Sequence, residues 1–559
     1  MHMASITSEL IKFKNRRGRD IVAYLDHISE ANQNFIVIPP AFGETKRDAL
    51  KLSYYLVKNG FSVIRYDSTD HVGESQGDMI DASFDTMKED LLSVIDFAVQ
   101  KFSLAGVGII GNSLGIRVAI KAASQDPRIR FLCGLVGIVD LRSSLKAVYH
   151  QDVIGDILEN RYQGKTLDDI LGFEVSVNFA LSAIQQGYHD LESTKQDFAR
   201  ITIPVVMMNA ENDAWINSRD VQSLMESAPM KDKNFIFLPG AMHQLNENPQ
   251  AARYALAQTV INAKKFLMNS DIKPEEILEP APEELQTQWL IEEGRLRNLI
   301  QKGLEGEKEF WEKYLNKFVL IQKSPDYRNF LTNVSRSLNI QPGENVLDAG
   351  CGNGHFAAWL FDTMLDKIFR ENIRLENFSP VRYVGLDFAE RNLNEAMLKT
   401  LNLSRRVYRE LSLKDKYPIV KFRFVQADIE VPLPFQDNYF DKICCNLVLS
   451  YVQDPLFSLK ELLRVLKEGG KIIVSSMKPD ADMSQVYRNF VDRTENPEEL
   501  EEARKLLSAA GKIKQKENAG LYSFFSETEL RDLFHQAGAK NIYVCREFAN
   551  QSNVIVGEK

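Results

Sequence analysis

Apolar residues along the chain come in short unbroken runs. Each run ends in a glycine-rich or acidic turn, and a longer stretch follows in which apolar positions recur every three or four residues. Such runs read as buried parallel strands and the stretches as helices that cover them. In the first half the runs are FIVIPP (35–40), SVIRYD (62–67), VGII (107–110), FLCGLVGIV (131–139), PVVMMNA (204–210) and NFIFLPG (234–240). In the second half they are NVLDAG (345–350), VRYVGLD (381–387), FRFVQAD (422–428), FDKICCN (440–446) and GKIIVSS (470–476), and NIYVCREF with SNVIVGEK predicts a closing hairpin. This alternation predicts the α/β class, with parallel sheets covered by helices. Between Ile138 and Pro204 the pattern reads as helical over a length too great for one crossover, which predicts a cap over the sheet's active edge at about 141–200.

The stretch DIKPEEILEPAPEELQ (271–286) carries three prolines, six acids and almost nothing to bury, so it reads as an extended, solvated linker. Two domains follow, 1–270 and 287–559, since 559 residues exceed one ordinary core. No internal repeat relates the two series. The 44% hydrophobic and 26% charged fractions are those of a soluble globular protein. A net charge of −9 without a basic stripe argues against a nucleic-acid partner. The five cysteines (Cys133, Cys351, Cys444, Cys445, Cys545) are scattered and odd in number, without a CxxC pair or zinc spacing. Free thiols in a reducing compartment and no structural metal are expected. No apolar run reaches the ~20 residues of a membrane span, and MHMASITSEL lacks a signal-peptide core. A cytoplasmic enzyme is the expectation.

Candidate chemistry in the first half centres on GNSLG (111–115), a G-x-S-x-G that runs from strand into helix. The glycines permit a turn so tight that the Ser113 hydroxyl stands above the sheet, with the Leu114 N–H at a helix N-terminus facing any oxyanion formed there. Asp213 follows the strand PVVMMNA, with Glu211 as a nearby rival, and His243 lies in the loop after the next strand. Singly these read as a loop acid and a surface histidine. Together they stand in the chain order Ser, Asp, His, which predicts a nucleophile, an orienting acid and a base. A second oxyanion donor is expected in IPPAFGETKRD, from Phe42 N–H or, alternatively, Ala41 N–H.

On these residues, and on NGFSVIRYDSTDHVGESQG (59–77), VGIVDLRSSL (136–145), NAENDAWI (209–216) and GAMHQLNEN (240–248), the first half resembles the α/β-hydrolases. It is most similar to the acyl transferases (acyl-carrier-protein thioesterases) of bacterial bioluminescence operons, from about residue 5 to 265. The resemblance implies release of an acyl chain from an acyl carrier protein or other thioester donor through an acyl-serine on Ser113, with water or another nucleophile as acceptor. Gly111-Asn112 and Gly115 depart from that family towards the general hydrolase elbow, which leaves acyl length and acceptor open.

In the second half VLDAGCGNGHF (346–356) sets Asp348 before glycines 350, 352 and 354. A dinucleotide site spaces its glycines differently. The D-x-G-x-G-x-G pattern resembles motif I of class I S-adenosylmethionine-dependent methyltransferases. That resemblance implies a Rossmann-like domain in which Asp348, Gly350, Gly352 and Gly354 approach the methionine portion of S-adenosyl-L-methionine. It further implies Asp387 at the ribose hydroxyls, Asp428 and Ile429 at the adenine amino group and ring, and Asn446 beside the sulfonium. LKEGGKIIVSS completes the pattern, and LDKIFRENIRLENFSPVR (365–382) is a long insertion before Asp387. No base stands out, which fits a small-molecule methyl acceptor that is already nucleophilic. The helical runs 283–338 and 478–520 are expected to wall its pocket.

The whole chain then reads as a bifunctional enzyme, a serine thioesterase or acyltransferase joined to a methyltransferase acting on the same or a related acyl or polyketide-like substrate. Two alternatives remain: a methyl-ester hydrolase paired with a carboxyl O-methyltransferase, as in biotin-precursor synthesis, or one half kept only as a binding module.

Overall fold

The computed structural model describes residues 5–28, 31–149, 152–162, 164, 166–170, 173–300, 324–411, 417–479 and 516–559, with single positions 481, 496 and 513. The chain forms two compact units, Met1–Leu299 and Ile300–Lys559.

The first unit is built on β1 (Ile6–Lys14), β2 (Asp20–Ile28), β3 (Phe35–Ile38), β4 (Ser62–Tyr66), β5 (Val107–Asn112), β6 (Ile129–Leu135), β9 (Val205–Ala210) and β10 (Lys233–Leu238), with a separate ribbon of β7 (Thr166–Ile170) and β8 (Phe173–Ser176). Its sheet runs β1-β2-β4-β3-β5-β6-β9-β10. The joints β1–β2 and β2–β4 are antiparallel and the rest parallel. This is the α/β-hydrolase arrangement. β3, β4 and β9 are buried along their whole length, and in β5 only the final Asn112 is half-buried, as unbroken apolar runs flanked by helices require.

Three features differ from the sequence expectation. β1 and β2 are strands additional to the expected runs: β1 alternates polar and apolar along an exposed edge, and β2 continues its apolar run 21–25 into buried Asp26 and His27. The run 131–139 stops being a strand at Leu135, because Val136 turns to φ +42° and its N–H bonds to Met208 O. The cap is mixed rather than helical. Helices Leu141–Tyr149, Val153–Leu158, Asn178–Gln185 and Leu191–Phe198 surround the β7–β8 ribbon, which buries Leu167, Ile170, Phe173 and Val175.

The segment 271–286 is not a free linker. Leu278 bonds through its N–H and C=O to the Asn59 side chain, and a helix starts at Pro282 and runs to Ile300. That helix belongs to the first unit, so the seam falls at Leu299/Ile300 rather than before residue 287. Its attachment is a buried charge network. Arg65, fully buried, lies 2.6 Å from Asp26 on one side and 2.6 Å from Glu292 of the helix on the other. Gln288 donates to Glu292, and Arg47 stacks on Trp289 at 3.6 Å. The part of 283–338 expected at the acceptor pocket of the second half is therefore committed to the first unit up to residue 299. Residues 301–323 and nearly all of 480–515 lie outside the described residues.

The second unit's sheet runs β13-β12-β11-β14-β15-β17-β16. Its strands are β11 (Asn345–Ala349), β12 (Val381–Asp387), β13 (Val420–Gln426), β14 (Phe440–Asn446), β15 (Leu466–Met477), β16 (Lys540–Glu547) and β17 (Ser552–Glu558). The first five are parallel, and β17 is antiparallel to both neighbours. This is the Rossmann-like class I methyltransferase arrangement. Helices Pro325–Leu338, His355–Arg370 and Glu390–Glu410 pack on one face, against Val346, Cys444 and Ile473. Helices Pro455–Val465 and Glu527–Ala537 pack on the other, against Leu347, Cys445 and Val474. Strand order reverses between β11 and β14, the switch point where open α/β sheets bind ligands. Among the described residues no helix is long and apolar enough to cross a membrane, and all five cysteines are free.

Glu292→Ala leaves the buried Arg65 with one of its two anions. Breaking a buried pair costs about 3–5 kcal/mol. Urea titration is expected to show the N-terminal unit less stable by about 3 kcal/mol; a loss below about 0.5 kcal/mol would mean that other contacts hold the helix.

Candidate active sites

β5 is central in its sheet, and the chain leaves it through Ser113 at φ +46°, ψ −118° before entering helix Leu114–Ala123. A side chain at Gly111 would meet the Ile116 backbone at 2.8 Å, and one at Gly115 would meet Pro40 O at 3.1 Å. Both contacts are to backbone, so Gly111 has no room for a Cβ and Gly115 would take one only if the Pro40 carbonyl gave way by a few tenths of an ångström. Ser113 N–H bonds to Leu135 O, and Ser113 O accepts from Ile138 N–H, which fastens the elbow to the hook after β6.

The loops after β9 and β10 bring the partners. Ser113 Oγ lies 3.1 Å from His243 Nε2, and His243 Nδ1 lies 2.9 Å from Asp213 Oδ2. The His243 and Asp213 side chains are 4% and 1% exposed. Asp213 Oδ1 also accepts the N–H groups of Trp215 and Ile216, which fixes the carboxylate. The Trp215 ring stacks on His243 at 4.4 Å and 9°, holding the imidazole plane. The rival Glu211 instead accepts Gly240 N–H and braces the histidine loop. Trp215 was not singled out in the sequence, although it stands two residues after Asp213.

At the expected oxyanion position, Ala41 N–H donates to Glu44 Oε2 at 3.2 Å. Phe42 N–H has no acceptor among the described residues, and Leu114 N–H opens its helix with no carbonyl a turn before it. Of the three expected donors, Phe42 and Leu114 N–H are thus unpaired among the described residues, whereas Ala41 N–H is taken by Glu44. Glu44 was missed in the sequence. Its other oxygen takes the Asn112 amide at 3.3 Å and so links the oxyanion loop to the elbow.

In the second unit the switch point gathers the expected residues. Gly350, Gly352 and Gly354 all have positive φ. A Cβ on Gly350 would meet Val448 at 2.4 Å, and one on Gly354 would meet Ala396 at 2.8 Å. The loop leans on β12 through Gly350 and Cys351 N–H to Leu386 O. Asp387, the last residue of β12, accepts Gly352 N–H and Ala389 N–H at 2.9 Å each, and burial raises its pKa. Ala427 N–H bonds to Asp387 O, so exposed Asp428 and buried Ile429 follow immediately beside it. Asn446 ends β14 with both amide atoms buried and without partners among the described residues, just before Leu447 at φ +56°.

Asp348 is engaged differently. Its carboxylate accepts Tyr383 Oη at 2.6 Å and lies 3.4 Å from Cys444 Sγ, which ties β11 to both neighbouring strands. Burial pushes it up to about 6, against the lowering effect of those two bonds. Asp348 thus bonds across the sheet, whereas Asp387 bonds the glycine loop itself through Gly352 N–H.

Comparison with known proteins agrees with this division. The family model described as acyl transferase matches residues 11–302, and the one described as methyltransferase domain matches 340–538. The acyl transferase of Photobacterium leiognathi is 30% identical over 278 residues, covering 48% of this chain and 84% of that protein. The acyl transferase of Shewanella hanedai is 34% identical over 277 residues, covering 48% and 86%. A solved structure of Est1E from Butyrivibrio proteoclasticus, with ferulic acid bound, aligns with a TM-score of 0.39 at 17% identity over 46% of this chain and 98% of that one. With just over half of its length matched, the chain belongs to the acyl transferase family and joins that enzyme unit to a methyltransferase domain.

Proposed function

We propose that the first unit carries an acyl group from a thioester donor, such as an acyl carrier protein, to water or another nucleophile through an ester on Ser113. In this reading the second unit then methylates the same or a related acyl or polyketide-like molecule. The observation that carries the first step is the relay from Ser113 Oγ to His243 Nε2 at 3.1 Å and from Nδ1 to Asp213 at 2.9 Å.

Chemically, Ser113 Oγ bonds to the thioester carbonyl carbon while its proton moves to His243 Nε2. The carbonyl electron pair moves to oxygen, and the resulting oxyanion accepts from Phe42 and Leu114 N–H. Collapse restores the carbonyl and breaks the C–S bond, and His243 returns its proton to the departing sulfur. The acceptor repeats the sequence in reverse, giving its proton to His243 and releasing the acyl group from Ser113. Asp213 holds the Nδ1–H tautomer and stabilises the imidazolium.

The residues of the second unit fit S-adenosyl-L-methionine. Asp387 keeps free lone pairs for a vicinal diol, Asp428 and Ile429 offer an acceptor and an apolar face to an adenine, and the unfilled Asn446 amide supplies polar partners at the strand end. When bound, that group supplies an electrophilic methyl on a sulfonium. The chain's own part is to align the acceptor and exclude water, and an acceptor that is already anionic or electron-rich needs no base.

Asp213→Asn should lower kcat on an acyl thioester by about 10,000-fold with little change in KM; steady-state kinetics that showed less than about a 10-fold loss would remove Asp213 from the relay. Asp387→Ala should weaken S-adenosylhomocysteine binding by roughly 100-fold, or about 2.7 kcal/mol, in isothermal titration. An unchanged Kd would contradict the assigned site.

A further inference from the structure

Three successive amides in the loop after β3 have different fates. Ala41 N–H turns to Glu44, Gly43 N–H donates to His71 Nε2 at 3.0 Å, and Phe42 N–H between them stays unpaired. Each peptide unit is planar and is turned only by the φ and ψ of its flanking residues, so anchoring the peptides on both sides narrows the orientations left to the one between them. Both neighbours here are fixed by side chains, so Phe42 N–H is the donor left for the substrate.

His71 comes from the loop after β4, and that loop is held by buried charge. Lys46 Nζ lies 2.6 Å from Asp67 and 2.8 Å from Glu74, and Ser75 Oγ donates to Asp67 O. A Cβ on Gly73 would fall 2.4 Å from the Asp67 carboxylate. On the other side the Phe42 ring meets His71 edge-on at 5.7 Å and Phe179 at 5.1 Å, and a side chain on Gly43 would strike Phe173 at 2.6 Å. A backbone N–H only donates, so Nε2 must carry a lone pair and the ring must be neutral. Burial pushes the imidazole down to about 4, against the opposing charge of Asp67.

We propose that His71 is a positioning residue for the oxyanion: it takes the Gly43 N–H and thereby aims the Phe42 N–H at the oxygen that becomes charged above Ser113. The inference rests on the acyl-serine reading of the first unit. Its effect belongs to the transition state, where the charge develops, and not to ground-state binding.

The test uses the full chain with p-nitrophenyl hexanoate as substrate and an alkyl trifluoromethyl ketone as transition-state mimic. His71→Leu is expected to lower kcat by roughly 30-fold, to leave KM within about 2-fold, and to raise the ketone Ki by the factor lost from kcat. His71→Gln, whose amide oxygen can accept the Gly43 N–H, should recover most of both. Wild-type kcat and Ki in His71→Leu, or equal losses in Leu and Gln, would overturn the assignment. Should His71→Leu not fold, His71→Asn replaces it, because its amide is too short to reach; Asn and Gln with the same kcat would then overturn it. Labelling of wild-type Ser113 by an alkyl fluorophosphonate separates the two levels. No labelling overturns the acyl-serine reading and this inference together, whereas labelling with unaltered variants overturns the role of His71 alone.

Discussion

Ser113 is held in a backbone conformation that an L-residue avoids, at φ +46° and ψ −118°. Such a residue costs on the order of 1–3 kcal/mol and persists only where its surroundings over-determine it. Here they do. The glycines on either side pack against backbone, with no room for a Cβ at Gly111 and a tight fit at Gly115, and the serine's own N–H and C=O are taken by Leu135 and Ile138. β5 lies between β3 and β6, so the loop after β3 and the hook after β6 both meet the elbow, while the loops after β9 and β10 deliver Asp213 and His243. The histidine relay, the loop after β3 and the hook after β6 all refer their geometry to this one turn.

Much of this was legible in the sequence because it depends on local pattern. Strands buried on both faces show as apolar runs, and the order Ser, Asp, His with each residue just after a strand follows from the sheet's connectivity. What was not legible depends on partners far away in the chain. Glu292 is one acid among many in an acidic helix, and only Arg65, more than two hundred residues earlier, distinguishes it. The burial of Asp26 is hidden in the same way: it is a polar residue at the end of the apolar run 21–25, yet it is buried against that same arginine. Asp348 reads as one more member of the glycine motif, but register sets it beside Tyr383 and Cys444, so its carboxylate bonds across strands. Trp215, Glu44 and His71 gain their roles only when separate loops converge.

The methyltransferase unit repeats the logic with different parts. Glycines with positive φ lean on β12, Asp387 caps that strand and binds the loop's own amide, and Leu447, a non-glycine residue at φ +56°, turns the chain immediately after Asn446. In both units a departure from regular geometry sits at the carboxyl edge of the sheet, where side chains of neighbouring strands meet.

The central claim is that Ser113 becomes covalently acylated. Incubating the chain with a labelled acyl-carrier-protein thioester, quenching with acid and locating the adduct by peptide mass spectrometry tests it most directly. The expected result is one acyl group on Ser113, gained in the intact protein and lost in Ser113→Ala. Thioester turnover with no adduct on Ser113, and with undiminished rate in Ser113→Ala, would contradict the account.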